Sequence, residues 1–357
     1  MSNTFGNILR LTTFGESHGI AIGGVLDGMP AGVAIDMDEV QRVVDRRRPG
    51  QSAMTTSRSE DDRVEILSGV FDGVTLGTPI GFVIRNKDHH SADYSEIKEC
   101  YRPSHADYTY DAKYGIRDYR GGGRSSARET AARVVGGAIA MQALKQLGIT
   151  VTAYTSQIGT VLLDASKKVD LSNIDSNTVR CPDADTAALM EAEVMAARAA
   201  GDSLGGCVSC VVNGVPAGLG EPVFGKLHAQ LGAAMLGINA AKGFEYGDGF
   251  AFAGARGSEV MDRFTSCDGT VTTLDNHSGG IQGGISNGAP ITFRVAFKPV
   301  ATLMRDIETI DRNGNPVTLH PHGRHDPCVV PRAVPIVEAM AALVMLDNVL
   351  MARTSRL

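Results

Sequence analysis

The segment Arg120-Gly121-Gly122-Gly123-Arg124-Ser125-Ser126-Ala127-Arg128-Glu129-Thr130 joins a glycine run to three guanidiniums and leads into a helical pattern. Glycines let a backbone approach a ligand without Cβ interference. Arginine forks suit phosphate and carboxylate groups. Ser126 followed by Glu129 has capping-box spacing, which predicts a helix from Ser126 to Leu147 whose first N–H groups and dipole face the loop. The chemistry this predicts is capture of a small anion. A phosphotransferase is the rival enzyme reading, but Gly-x-x-x-x-Gly-Lys-Ser/Thr does not occur and the loop has no lysine.

Three histidine segments could add proton transfer near neutral pH. His18 lies in Gly15-Glu16-Ser17-His18-Gly19, where glycines permit close ligand approach. His105 follows Arg102-Pro103-Ser104 and precedes Ala106-Asp107-Tyr108, so a cation, an imidazole and a carboxylate share one rigid segment. His325 belongs to His320-Pro321-His322-Gly323-Arg324-His325-Asp326-Pro327. That last run also invites a metal-dependent hydrolase, yet its prolines and Arg324 disfavour a compact cationic centre and no matching ligand cluster occurs elsewhere. Arg46-Arg47-Arg48-Pro49-Gly50 closes a helix, where cations complement the C-terminus; at least one of the three can turn toward a shared pocket.

The elements that must position these groups are legible as alternating and helical runs. Strands are predicted at Ile8–Thr13, Ile20–Leu26, Val64–Phe71, Ile80–Ile84, Val151–Leu163, Cys207–Val212 and Ile291–Phe297. Helices are predicted at Asp38–Arg48, Ser126–Leu147, Asp185–Ala200, Pro222–Ile238 and Val334–Ala352, the last two reading as buried. With 357 residues, 43% hydrophobic and 21% charged content, the chain reads as a soluble globular protein. A formal charge of −6 argues against nucleic acid as partner. The amino terminus lacks a signal-peptide pattern and no uninterrupted apolar run spans a membrane, so a cytoplasmic enzyme without a membrane partner is expected. Six scattered cysteines fit a reduced state, and the Cys207–Cys210 pair reads as two buried strand residues, not a metal or redox pair.

An internal echo organises the whole. Gly15–Gly32 aligns without gaps on Gly201–Gly218, matching Gly15/Gly201, Ser17/Ser203, Gly19/Gly205, Gly28/Gly214, Pro30/Pro216, Ala31/Ala217 and Gly32/Gly218. Each copy reads as loop, strand, turn, helix, so one domain over residues 1–357 with two related halves, about 1–200 and 201–357, is expected. His18 in the first copy is Leu204 in the second, which predicts that only the first carries chemistry.

Taken together, Gly15-Glu-Ser-His-Gly, Arg46-Arg-Arg-Pro-Gly, Arg102-Pro-Ser-His-Ala-Asp-Tyr, Gly121-Gly-Gly-Arg-Ser-Ser-Ala-Arg-Glu-Thr, Asn239-Ala-Ala-Lys-Gly, Asn276-His-Ser-Gly-Gly-Ile-Gln-Gly-Gly-Ile-Ser, Lys298-Pro and Gly323-Arg-His-Asp-Pro resemble the chorismate synthase family, in order and over nearly the whole chain. The resemblance implies an α+β fold, a three-layer β-α-β sandwich with a helical core between two antiparallel sheets, in a homotetramer. It implies the anti-1,4-elimination of phosphate from 5-enolpyruvylshikimate 3-phosphate, which gives chorismate and requires reduced FMN without net redox change; NADPH is a candidate reductant. By the same resemblance His18, His105 and Asp326 are catalytic. Ser17, Arg47, Arg102, Arg128 and Arg324 bind substrate. Arg124, Ser125, Ser126, Asn239, Ala240, Gly284, Lys298, Pro299, Val300, Ala301, Thr302 and Arg324 hold the flavin, and no metal is expected. A hydrolase or a phosphometabolite-binding protein is the alternative. Two departures stand out: Ala53 and Met54 occupy a stretch where the family often has arginine, which Arg58 or Arg63 could replace, and Ser104 replaces a usual glycine with little expected effect.

Overall fold

The structure, a computed structural model, describes residues 3–48, 50, 61–87, 98–320 and 326–356. In chain order its first part runs β1 (Thr4–Phe5), β2 (Arg10–Gly15), β3 (Ala21–Asp27), α1 (Met37–Arg47), β4 (Val64–Ile66), the hairpin β5 and β6 (Val70–Phe71, Val74–Thr75), β7 (Ile80–Arg85), α2 (Asp107–Tyr114) and α3 (Thr130–Gln146). The remainder runs β8 (Thr150–Ile158), β9 (Val161–Leu162), α4 (Ala184–Ala199), β10 (Gly206–Asn213), α5 (Leu227–Leu236), β11 (Ala241–Tyr246), the hairpins β12 and β13 (Phe264–Cys267, Thr270–Thr273) and β14 and β15 (Ile281–Gln282, Ile285–Ser286), β16 (Ile291–Phe297), the hairpin β17 and β18 (Ile307–Ile310, Pro316–Leu319) and α6 (Val330–Ala352).

Two five-stranded antiparallel sheets result, ordered β1-β2-β3-β7-β4 and β11-β16-β10-β8-β9. The helices fill the space between them. α3 packs on β2 and β3 of one sheet, α6 packs on β8 and β10 of the other, and the two helices pack on each other. This is the expected α+β architecture. Gly137 is where α3 and α6 come closest, since a Cβ there would lie 2.3 Å from Ala339 Cα.

Helix α6 is long and apolar enough to cross a bilayer by length and composition, but its residues are almost all buried inside the fold. Arg332, Glu338 and Asp347 interrupt it, which is why no continuous apolar run is visible in the sequence. Its acids have structural partners. Asp347 accepts from the backbone N–H groups of Asn7, Ile8 and Leu9 at 2.8–2.9 Å and so pins the approach to β2, while Glu338 accepts from Ala153 N at 3.0 Å and pairs with Arg46. The helix begins at Val330, four residues before the predicted start, because Pro331 is tolerated in a first turn. Pro335 lacks the N–H that would reach the carbonyl four residues back, and Arg180 Nε donates to that Pro331 oxygen instead, at 3.0 Å.

Other boundaries moved for local reasons. α5 is confined to Leu227–Leu236 because Glu221 to Gly225 closes into a turn. α3 starts at Thr130, after two short 3₁₀ turns at Gly123–Ser125 and Ala127–Glu129. The predicted capping box does not close. Ser126 Oγ does accept from Arg128 N, but the Glu129 carboxylate accepts from Thr13 Oγ1 at 2.8 Å and from Arg133 Nε at 2.9 Å, so it ties the loop to β2. α2 was not foreseen.

Candidate active site

The glycine triplet is the hinge of the site. Gly121, Gly122 and Gly123 all have positive φ, at 70°, 91° and 53°. Each also has a side chain where its own Cβ would be: 2.3 Å from His18 Cε1 and Nδ1 at Gly121, 2.9 Å from His105 Cε1 at Gly122, and 2.7 Å from Glu16 Oε2 at Gly123. The sequence assigned these glycines to close approach of a ligand. The structure shows a prior reason, which is that both imidazoles stand against one stretch of bare backbone. His18 is buried, with its Nδ1 3.3 Å from Ser17 Oγ.

His105 is held from behind. Arg102 grips Asp107 through Nε and Nη2, both at 2.8 Å, and His105 Nδ1 lies 3.0 Å from Arg102 Nη2 and 3.1 Å from Asp107 Oδ1. Burial alone would raise the Asp107 carboxyl. The Arg102 and His105 hydrogen bonds outweigh it and hold the group well below the usual carboxylate range. Arg102 is therefore committed to Asp107 and orients His105.

Beside His18 lies a buried charge triad. Asp62 sits between Arg47, whose Nη1 donates to Oδ2 at 3.2 Å, and Arg128, whose Nη1 bonds Oδ1. Arg47 also donates from Nε to Thr130 Oγ1 at 3.2 Å and from Nη2 to Ala127 O at 2.5 Å. Burial and the neighbouring Arg332 push the Arg47 guanidinium down to about 9, still high enough to keep it cationic at neutral pH. Arg128 donates from Nε to Asn86 Oδ1 at 2.9 Å, and its Nη2 is buried with no hydrogen-bond partner among the described residues. Two buried guanidiniums facing one carboxylate leave a net positive charge and one orphan donor, which suits an incoming anion.

Asp326 enters from the start of α6. It is ion-paired with Arg332, whose Nε donates to Arg47 O at 3.1 Å, so Asp326 is linked to the arginine cluster. Arg324 lies outside the described residues, as do His322, His325, Pro49 and the 51–60 stretch containing Ala53, Met54 and Arg58. Arg63 is exposed. His320 bonds Asp306 at the surface at 2.7 Å, and among the described residues no group of three or more metal-ligating side chains exists.

Of the residues assigned to the flavin, most converge on the far side of the glycine loop. Asn239 Nδ2 donates to Ser125 O at 2.6 Å, Lys298 Nζ donates to Ser104 O at 3.3 Å, and Lys298 N donates to Ala240 O at 2.9 Å. Val300 O accepts from Ser203 Oγ at 2.8 Å, and Pro299 packs on Gly205; Ala301 and Thr302 follow, half-buried. Ser125 Oγ turns back to Gly122 O at 2.7 Å. Arg124 spends its guanidinium on Thr13 and the Gly15 carbonyl. Arg120, a third arginine of the loop, is bidentate to Asp118. Gly284 is not brought to this set: it packs on Glu221 and Lys226 at the opposite end of α5 from Asn239. Sequence reasoning missed Asp62, Asn86 and Arg332. None carries a spacing signal, because each acts by reaching an element distant in the chain.

Two imidazoles and a buried arginine cluster thus meet around one glycine loop of a β-α-β sandwich, an arrangement that can receive an anion and move a proton. The chorismate synthase family profile matches residues 9–350. The chain is 62% identical over 358 residues to a chorismate synthase of Phocaeicola vulgatus and 59% identical over 358 residues to one of Bacteroides fragilis, with all of both chains covered in each case. Its fold is similar to a crystal structure of chorismate synthase with TM-score 0.77 and 30% identity, covering 97% of this chain and 92% of that one. The chain belongs to the chorismate synthase family. It is accordingly a chorismate-forming lyase that acts on a carbon–oxygen bond in the shikimate pathway.

Proposed function

We propose that this site carries out the anti-1,4-elimination of 5-enolpyruvylshikimate 3-phosphate, with reduced FMN bound beside the substrate and NADPH as its reductant. The observation that carries the reading is the placement of His18 and His105 on consecutive residues of one glycine loop, with the Arg47–Asp62–Arg128 cluster alongside. The phosphate lies against Arg128 Nη2 and Arg47, which supply charge that a single carboxylate leaves unbalanced. His18 gives a proton to the departing phosphate oxygen. Ser17, 2% exposed and donating to Arg120 O at 3.4 Å, holds the His18 ring side of the loop in place. Asp326, kept close to Arg332, takes up the ring proton, and Arg102 acts by fixing His105.

The residues present also fit a flavin. His105 presents the edge opposite its Asp107 contact to Gly122, and Lys298, Asn239 and Ser125 line the loop beyond it. When bound, the reduced cofactor supplies the electron density that helps the C–O bond break. His105, Arg124, Ser125, Ser126, Asn239, Ala240 and Lys298 to Thr302 hold it; Arg324 and Gly284 are assigned with them by family pattern. By the family resemblance the chain is a homotetramer acting in the cytoplasm, and the exposed Ile20, Phe224 and Phe250 are apolar surface that contacts between copies would cover. We also read the chain as one domain of two related halves.

An anaerobic assay tests the function. Chorismate should form with chemically reduced FMN and not with oxidised FMN alone. Phosphate release without reduced flavin would instead establish a hydrolase.

A further inference from the structure

Asn86 follows the end of β7 and is 8% exposed, yet nothing in its sequence context marks it. Its side chain makes contacts in two directions. Nδ2 donates to three backbone carbonyls of the His18 loop, those of Glu16 at 3.1 Å, Ser17 at 3.5 Å and Gly19 at 2.8 Å. Oδ1 accepts from Arg128 Nε at 2.9 Å. One amide therefore spans the loop that carries the proton donor and the guanidinium whose other nitrogen is the buried orphan donor. Only an amide offers both functions at once: a carboxylate has no donors, and a hydroxyl is too short to reach both sides.

The second copy of the motif shows what happens without the imidazole. Its loop is held by contacts of a different kind, with Ser203 Oγ donating to Val300 O at 2.8 Å, Leu204 N to Pro327 O at 2.8 Å and Met304 N to Gly201 O at 2.9 Å. The strand end that corresponds to β7 continues there into Lys298 and Pro299. Among the described residues, a side-chain amide braces the loop of the copy that carries histidine and not that of the other.

We propose that Asn86 is a positioning residue that locks the His18 loop to Arg128, so that the group protonating the departing phosphate and the group binding it keep one geometry. This rests on the functional reading above for what His18 and Arg128 do, but the bracing itself is measurable without turnover.

The test compares Asn86→Asp and Asn86→Ser in the full-length protein by three readouts: amide exchange of residues 15–20, affinity for inorganic phosphate, and kcat against KM. Asn86→Asp keeps an acceptor for Arg128 and loses all donors to the loop. Exchange at 15–20 should speed up about tenfold as the loop loses those hydrogen bonds, while the new carboxylate, paired with Arg128, cancels the cluster's net positive charge and should lower phosphate affinity about tenfold. Its kcat should fall about 10²-fold, beyond the rise in KM that the weaker anion binding brings, as expected when reacting groups shift by about an ångström. Asn86→Ser loses the loop contacts and releases Arg128 without adding charge, so its phosphate affinity should fall by no more than about threefold. Native exchange at residues 15–20 in both variants would overturn the proposal, and so would equal phosphate affinities in the two. Should Asn86→Asp fail to fold, the uncharged serine variant decides through the same exchange readout. An unaltered chain that makes no chorismate strikes the functional reading, whereas exchange and phosphate binding still judge Asn86.

Discussion

The two copies of the Gly15–Gly32 motif are alike where they build and unlike where they act. In the first, Thr75 Oγ1 donates to Pro30 O at 2.6 Å and accepts from Val33 N at 2.9 Å, while Thr75 O accepts from Gly32 N. In the second, Ser286 Oγ donates to Pro216 O at 2.6 Å and accepts from Leu219 N at 2.9 Å, while Ser286 O accepts from Gly218 N. Gly28 and Gly214 share a positive φ, and each would place a Cβ 2.0 Å from a carbonyl, that of Ile8 or of Gly148. The loops then part. His18 meets the bare backbone of Gly121, whereas Leu204 forms a parallel bridge to Cys328. The buried Arg47, Asp62, Arg128 and Glu129 lie on the histidine's side, whereas the buried Arg180 and Glu338 meet the second sheet at β8. One scaffold thus serves as framework in one place and as a charged site in the other.

The largest effect that separates the copies should come from Asp62→Ala, which leaves two buried guanidiniums facing each other. Removing one member of such a cluster costs about 3–5 kcal/mol, and chemical denaturation will read it. Leu204→Ala on the framework side should cost no more than about 2 kcal/mol, because that residue is only half-buried. Acid adds a second view. Burial raises the Asp62 carboxyl, but Arg128 and Arg47 bring it below its ordinary value. A carboxyl depressed in the folded state stabilises above its unfolded value of about 4, and that stability is lost as pH falls through the lower folded value. The melting temperature should therefore fall on acidification below about pH 4, and Asp62→Asn should flatten that slope. A variant as acid-sensitive as the parent would show that the carboxylate is not what the triad depends on.

Next in size, His18→Ala should slow elimination by about 10²-fold or more in a single-turnover assay. The reciprocal change, Leu204→His, should add no activity, since position 204 is seated on Pro327 and Cys328, whereas His18 meets the glycine loop. An unchanged rate in the first variant would remove His18 from the reaction.

How far the sequence reaches is visible in these same residues. The strands around both motifs were legible because they alternate, and His18, His105 and the glycine loop stood out because unusual residues sit side by side. The partners that fix them did not. Asp62, Asn86 and Arg332 are ordinary polar residues whose roles exist only once β7, α1 and α6 are folded together. Glu129 misled for a related reason: its spacing fits a cap, but Thr13 and Arg133 offered tertiary and helical partners that win over the local backbone. Arg102, Arg120 and Arg124, read as anion ligands, each also meet a carboxylate or a carbonyl that only the fold brings to them.

If the copies share their framework, removing the paired hydroxyls should cost the same. Thr75→Ala and Ser286→Ala each strand a buried N–H and a carbonyl, so each should lose about 1–3 kcal/mol with kcat unchanged. A loss in one copy only would mean that the resemblance stops at the sequence.

The finest test sits where the copies meet. Ser104 at φ 59° and Ala240 at φ 69° are both non-glycine residues in the left-handed region, and Lys298 joins them, donating from Nζ to Ser104 O and from its backbone N to Ala240 O. The left-handed conformation costs a residue with a Cβ about 1–2 kcal/mol, while glycine loses up to about 1 kcal/mol through the greater freedom of its unfolded chain. Ser104→Gly and Ala240→Gly should therefore each stabilise by at most about 1 kcal/mol, read as a small rise in denaturation midpoint. Among the described residues the serine hydroxyl makes no hydrogen bond, so Ser104→Gly should leave flavin affinity as it was. A measurable loss of flavin binding there would mean that the strained turn itself, and not only the Lys298 contact, shapes the cofactor side of the loop.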